Sequence, residues 1–351
     1  MAKSSKTLKL PAVEGELVVW GGNERLQITE APKSRGAFWK VAQGGATQCL
    51  AIRMNGSPAL WGNGPMPPTG ETPGDRQGVP LPLQLPPGGR YIDAALGLTH
   101  AYFLRSNGRI DPAGKFAVTN ASADVPVALL GVRFVAVSAG GGFGVAIDVD
   151  GRLHQWGSLP EIAAQEQVKF TKIRGRNGYC LALDEGGHLW AWGEGAVLSA
   201  ASLPGWQLRN SGFQTRGYWF HPGKFVDIAA GAEGKNPSYP AHILAIRDTG
   251  TIAAWGEDRF GQVSGAPKAI GSTTLGGKRT RFQAVAAGQG YSLALDENGY
   301  IYHWGLTGSA STPTGLSNVP QGQFASIGAG TMQATAVRPN RSPPLFSLRD
   351  G

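Results

Sequence analysis

The sequence predicts an all-β fold: a seven-bladed β-propeller, its ring closed by pairing the N-terminal strand with the C-terminal strands. Three observations predict it. A unit containing an opening aromatic, a glycine, a two-residue hairpin and a Trp-Gly pair recurs along the chain. The segments flanking each hairpin alternate apolar and polar residues with period two, as strands do. The final unit is split, with its first half at the C-terminal end and its second half at the N-terminal end.

The columns of the repeat fix each element. Units open on Phe38, Tyr91, Phe134, Phe170, Phe225, Phe282 and Phe324. Six residues on stands Gly44, Gly97, Gly140, Gly231, Gly288 or Gly330, and only Arg176 breaks the column. The hairpin reads Asn55-Gly56, Asn107-Gly108, Asp150-Gly151, Gly186-Gly187, Thr249-Gly250, Asn298-Gly299 and Glu14-Gly15. Asn-Gly and Asp-Gly between apolar runs favour a tight hairpin, because both central residues need positive φ. Five residues after that glycine comes Trp61, Trp156, Trp192, Trp255, Trp304 or Trp20, each followed by glycine, while the second unit has Ala113-Gly114. A small antiparallel sheet of this kind cannot bury both faces alone, so neighbouring units stack. Pairing Leu17–Trp20 with the strands after Phe324 removes the open edge of the last unit.

This pattern of columns, with Trp20-Gly21-Gly22-Asn23 and Trp255-Gly256-Glu257-Asp258 running on to Gly261-Gln262, resembles the regulator-of-chromosome-condensation repeat family over residues 14–338. The expected organisation is a basic tail (1–13, with Lys3, Lys6 and Lys9), one propeller (14–338) and a C-terminal tail (339–351). Its seventh blade is shared between 14–23 and 324–338. The resemblance implies a ring that grips proteins. Its members include a nucleotide-exchange factor for a small GTPase and a proteinaceous β-lactamase inhibitor.

Composition agrees with a packed β protein: of 351 residues 53 are glycine and 10 tryptophan, and 41% are hydrophobic. No apolar stretch has the length of a signal peptide core or a membrane span, so the expected location is the cytoplasm or a particle into which the chain is incorporated. The net charge of +8 admits an acidic partner or nucleic acid, although no run of five basic residues occurs.

Irregular insertions interrupt the repeat at 63–90 (proline-rich), 194–224 (aromatic-rich), 232–241, 257–281 and 306–323. Function on a rigid ring is expected in such loops. One loop column ends on Gln48, His100, Phe143, Tyr179, His242, Tyr291 and Gln333. Its polar and aromatic character marks it as the candidate binding ring at one channel mouth, against the alternative that it lines the channel and holds turns. On the first reading, alanine at Tyr179 and Tyr291 together removes partner binding and leaves the ring folded.

Catalytic signals are few. Cys49 and Cys180 fill a small strand slot shared with Ala101, Gly144, Ser292 and Ala334, with Ile243 the odd one, in units expected far apart. The six histidines lack metal-ligand spacing, and Gly140-Gly141-Gly142 leads into no helix that could bind phosphate. Asp148, Asp184, Asp248 and Asp296 recur at the strand end before the hairpin, where they are expected to hold turns. The sequence therefore predicts no enzymatic activity, no cofactor and no metal. It predicts a protein-binding scaffold, with two alternatives: a structural component of an assembly such as a phage virion, and an exchange factor or chromatin- or DNA-associated regulator.

Overall fold

A computed structural model of the chain describes residues 15–22, 28, 31–33, 38–42, 48–62, 88–116, 123–160, 162, 167–194, 197–209, 217–231, 241–267, 280–306 and 316–340. The expected tails before Gly15 and after Asn340, and the insertions at 63–87, 232–240, 268–279 and 307–315, lie outside them.

Strands appear where the repeat columns place them. The chain begins with β1 (Gly15–Gly21), β2 (Phe38–Val41), β3 (Gln48–Arg53) and β4 (Pro58–Gly62). Four three-stranded antiparallel units have the same build. They are β5 (Tyr91–Leu96), β6 (His100–Arg105) and β7 (Ile110–Gly114), then β8 (Phe134–Ala139), β9 (Phe143–Asp148) and β10 (Leu153–Gly157). The unit of β11 (Phe170–Arg176), β12 (Tyr179–Asp184) and β13 (Leu189–Gly193) is extended by β14 (Gln207–Arg209) and β15 (Tyr218–His221), in the order β11-β12-β13-β15-β14. Then come β16 (Phe225–Ala230), β17 (His242–Arg247) and β18 (Ile252–Gly256), and β19 (Phe282–Ala287), β20 (Tyr291–Asp296) and β21 (Ile301–Gly305). Last are β22 (Ser326–Ala329) and β23 (Gln333–Pro339).

The two chain ends meet as the split repeat predicts. β1 pairs with β23 from Gly15↔Pro339 to Gly21↔Gln333, and β22 completes that three-stranded set. Gly15↔Phe38 links it to β2, giving the sheet order β22-β23-β1-β2-β3-β4.

Successive units pack face to face, β3 on β5, β6 on β8, β9 on β11, β12 on β16, β17 on β19 and β20 on β22, and β2 packs on β22 and β23. One backbone bond recurs at each step: the opening aromatic's N–H donates to the previous hairpin glycine's carbonyl, as from Phe134 to Gly108 (2.7 Å) and from Phe324 to Gly299 (2.7 Å). Those hairpins need glycine, since Gly151 and Gly299 both sit at φ 85°.

Two columns explain much of the core. Opposite five of the six column tryptophans stands the small slot: Cys49↔Trp61, Gly144↔Trp156, Cys180↔Trp192, Ser292↔Trp304 and Ala334↔Trp20, while Trp255 faces Ile243. Directly opposed side chains share one face, so a large ring favours a small partner. At Gly144 even a Cβ would come within 2.4 Å of the Trp156 ring. Both cysteines are buried and free, and burial pushes the Cys49 thiol up to about 12.

The strand-end column has two solutions. Where it is arginine, the guanidinium lies over its unit's opening aromatic, as Arg53 on Phe38, Arg105 on Tyr91, Arg247 on Phe225 and Arg338 on Phe324. Where it is Asp148, Asp184 or Asp296, the carboxylate accepts hairpin N–H bonds. Asp248 does not belong to this column: β17 ends on Arg247, and Asp248 is the next residue, in the turn. Replacing Asp296 by alanine strands the N–H groups of Asn298 and Tyr300, which it binds at 2.9 and 2.8 Å. The expected loss is about 1–3 kcal/mol in a urea melt.

Of the aromatics of 194–224, Trp206, Tyr218 and Phe220 are buried and Trp219 is half-buried, and Phe213 lies outside the described residues. Trp190 stacks on Tyr218 at 4.6 Å and meets Phe220 edge-on, so β15 caps the exposed edge of β13. Trp206 packs on Trp255 in the adjoining core.

Candidate functional site

Each residue of the candidate binding ring is placed by the start of the middle strand of its unit: Gln48 on β3, His100 on β6, Phe143 on β9, Tyr179 on β12, His242 on β17, Tyr291 on β20 and Gln333 on β23. All seven are buried. Four of them turn polar tips to the neighbouring unit. His100 Nε2–H donates to the Phe143 carbonyl (3.2 Å), and the Tyr179 hydroxyl donates to the Gly231 carbonyl (2.9 Å). Tyr291 donates to the carbonyls of Gln333 (2.6 Å) and Gly330 (3.3 Å). His242 Nε2 lies 2.8 Å from Ser292 Oγ, and that hydroxyl donates to the Gln262 carbonyl. The histidine therefore donates through Nε2.

These side chains are bolts between units, which corrects the picture of an exposed polar-aromatic ring. The polar tips of His100, Tyr179 and Tyr291 satisfy carbonyl groups of the adjacent sheet, and that of His242 bonds the Ser292 hydroxyl. The glycine column makes room for them: a Cβ on Gly140 would strike the Phe143 ring, and one on Gly288 the Tyr291 ring. Burial, and secondarily the charge of Arg176, pushes His242 down to about 3, with Asp258 acting weakly the other way. Burial pushes His100 down to about 4, partly offset by its bond to Phe143.

The opposite end of each unit, where the hairpins lie, is exposed. The residue before the opening aromatic is Arg90, Arg133, Lys169, Lys224 or Arg281, an exposed cation on five successive units. Each is fixed from behind, because its carbonyl accepts an N–H from the turn of its own unit, as Val149 to Arg133 (3.0 Å) and Glu185 to Lys169 (2.8 Å). Around β8 and β9 these cations border apolar surface. Val127 and Leu130, in and beside the short 3-10 turn Val127–Leu129, are 83% and 51% exposed, and Val135 and Val149 are 37% and 55% exposed. Arg109, Arg133, Arg152 and Lys169 stand in the same hairpins and strand starts, with the exposed acids Asp124, Asp150 and Glu185 beside them. An exposed apolar cluster rimmed by charge has the make-up of a protein contact surface.

Among the described residues no group of three or more His, Cys, Asp or Glu side chains is arranged to hold a metal. No helix among the described residues is long and apolar enough to cross a membrane. The buried carboxylates are engaged: Asp148 with His154 (2.8 Å), Asp184 with His188 and Trp190, and Asp227 with Lys172 (2.9 Å) and the Val285 N–H.

No protein-family model matches the sequence, and no curated protein matches it either. Solved structures do. Human WBSCR16 superposes with a TM-score of 0.61 at 14% identity, over 92% of this chain and 98% of that one. Prp20p of Saccharomyces cerevisiae, the yeast RCC1, superposes with a TM-score of 0.63 at 16% identity, over 93% of this chain and 92% of that one. Prp20p has been described with its binding to Gsp1p and histones. At these identities the likeness establishes the fold, an RCC1-like β-propeller, as the repeat columns predicted.

Proposed function

We propose that this RCC1-like β-propeller is a non-enzymatic scaffold that binds another protein through its hairpin end. In this reading residues 14–338 form one body of seven units closed into a ring, with the buried column Gln48, His100, Phe143, Tyr179, His242, Tyr291 and Gln333 as its frame. The observation that carries the reading is the exposed apolar cluster Val127, Leu130, Val135 and Val149 set among Arg109, Arg133, Arg152 and Lys169. Such a surface suits a partner offering apolar side chains within an acidic rim. Backbone bonds hold it in place, so little ordering entropy is lost on docking. A rigid ring that presents one face is compatible with a soluble regulator and with a subunit of a larger particle.

The exposed cations on five successive units favour a second reading, nucleic acid. Salt separates the two. Tagged full-length chain is captured from its native source and washed at low and high salt, and bound material is identified by mass spectrometry and nucleic-acid staining. A stoichiometric protein that survives high salt supports the scaffold. Nucleic acid lost at high salt, with no protein retained, overturns it.

A further inference from the structure

Arg176 stands where the other units carry glycine, at the end of β11 beside the buried column. It is only 7% exposed, and among the described residues it is the one buried lysine or arginine. Its Nε and Nη2 have no hydrogen-bond partner. These two N–H groups form one edge of the guanidinium, the fork that takes two oxygens of one oxyanion side by side.

Among the described residues no carboxylate is hydrogen-bonded to that edge, and Asp258, the acid coupled to the adjoining His242, is engaged by the N–H groups of Val263 and Ser264. The groups that feel Arg176 are Tyr179 of its own unit, His242 of the next and Tyr291 of the one after. The buried aspartates are committed elsewhere: Asp148, Asp184 and Asp296 at the hairpin end, and Asp227 to Lys172 and Val285. His242 is uncharged, with its Nδ1 also unpartnered. A guanidinium taken out of water without an anion or full hydrogen bonding is strongly disfavoured. Nothing in the repeat requires arginine here, since glycine serves in the other units.

We propose that the Nε/Nη2 edge of Arg176 binds a small tetrahedral oxyanion, phosphate or sulfate, inside the propeller. The site lies among buried rings, so it takes a free ion and excludes a bulky phosphorylated ligand. Occupancy ties together three units through one ion and adds to the stability of the fold. The site is independent of the protein contact proposed for the hairpin end.

The test uses purified full-length chain dialysed into a chloride buffer free of phosphate and sulfate. Inorganic phosphate is titrated at constant ionic strength while the melting temperature is followed, and equilibrium dialysis counts bound phosphate. The expected result is one phosphate per chain and a saturable rise of about 2–4 °C. A parallel titration with sulfate shows which ion the site prefers. Arg176→Ala keeps the Cβ and should abolish both responses. Arg176→Lys keeps the charge but lacks the fork, and should weaken binding at least tenfold. A flat response of the wild type overturns the proposal and leaves water as the occupant. An equal rise in Arg176→Ala overturns it as well, as a general salt effect on the protein surface. Dialysis of the wild type decides the matter even if Arg176→Ala fails to fold.

Discussion

Tyr291→Ala is expected to destabilise the protein by about 3–5 kcal/mol, because it empties a fully buried ring site and severs a bond between units. The ring packs in the core of β20, β22 and β23 with Leu293, Phe324 and Ala334. Its hydroxyl donates to the Gln333 carbonyl at 2.6 Å. Tyr291→Phe keeps the ring and loses only the hydroxyl, so it should cost about 1–2 kcal/mol. Urea melts of the two variants separate packing from hydrogen bonding. Tyr179→Ala should behave like Tyr291→Ala, since its ring is equally buried and its hydroxyl reaches Gly231 of the next unit. Full stability in either alanine variant, with loss of a partner, would return these residues to a role as an exposed recognition ring.

Mild acid should weaken the fold well before carboxylates titrate. His242 and His100 are held down to about 3 and about 4, against about 6.5 in the unfolded chain. Burial is the main cause for both, and for His242 the neighbouring Arg176 adds to it while Asp258 opposes it. Each folded-state pKa lies below the unfolded one, so the unfolded chain binds more protons in the interval. Their contribution is complete above pH 6.5 and is lost as pH falls toward 4 for His100 and 3 for His242. Each histidine then costs about 1.4 kcal/mol per pH unit within its window. His303 and His221, also lowered mainly by burial, act in the same direction. Urea midpoints from pH 7.5 to 5 should fall steadily, and His242→Gln should shallow the slope by about one proton. A flat profile over that range would show that these rings are not buried neutral.

Much of the fold is legible in the sequence because the repeat places the same physical demand in every unit. A glycine at positive φ in six hairpins, a tryptophan opposite a small residue in five units and an aromatic opening six of the first strands can be aligned without coordinates. Even the degenerate second unit forms, since Ala113 stands opposite Ala101 and β7 still pairs with β6. The added strands β14 and β15 were less legible. Tyr218, Trp219, Phe220 and His221 alternate between buried and half-buried, but their partner β13 lies across an irregular segment.

The candidate site was legible only in part. His100, Tyr179, His242 and Tyr291 have the chemistry of a recognition surface, and sequence alone does not reveal that a carbonyl or hydroxyl of the neighbouring unit waits for each polar tip. The hairpin-end cations escaped notice for the opposite reason. They occur once per unit and form no run, so charge counting sees them as scattered. The signal that finds them is the column just before the opening aromatic: Arg90, Arg133, Lys169, Lys224 and Arg281.

The division of labour between a buried frame and an exposed hairpin end is tested most directly by Val127→Asp combined with Leu130→Asp. Both side chains are exposed, so the melting temperature should stay close to that of the wild type. Quantitative capture of the stoichiometric partner by wild type and variant is the measurement. The account predicts at least a tenfold loss of partner from the variant. Undiminished capture by the variant would contradict it.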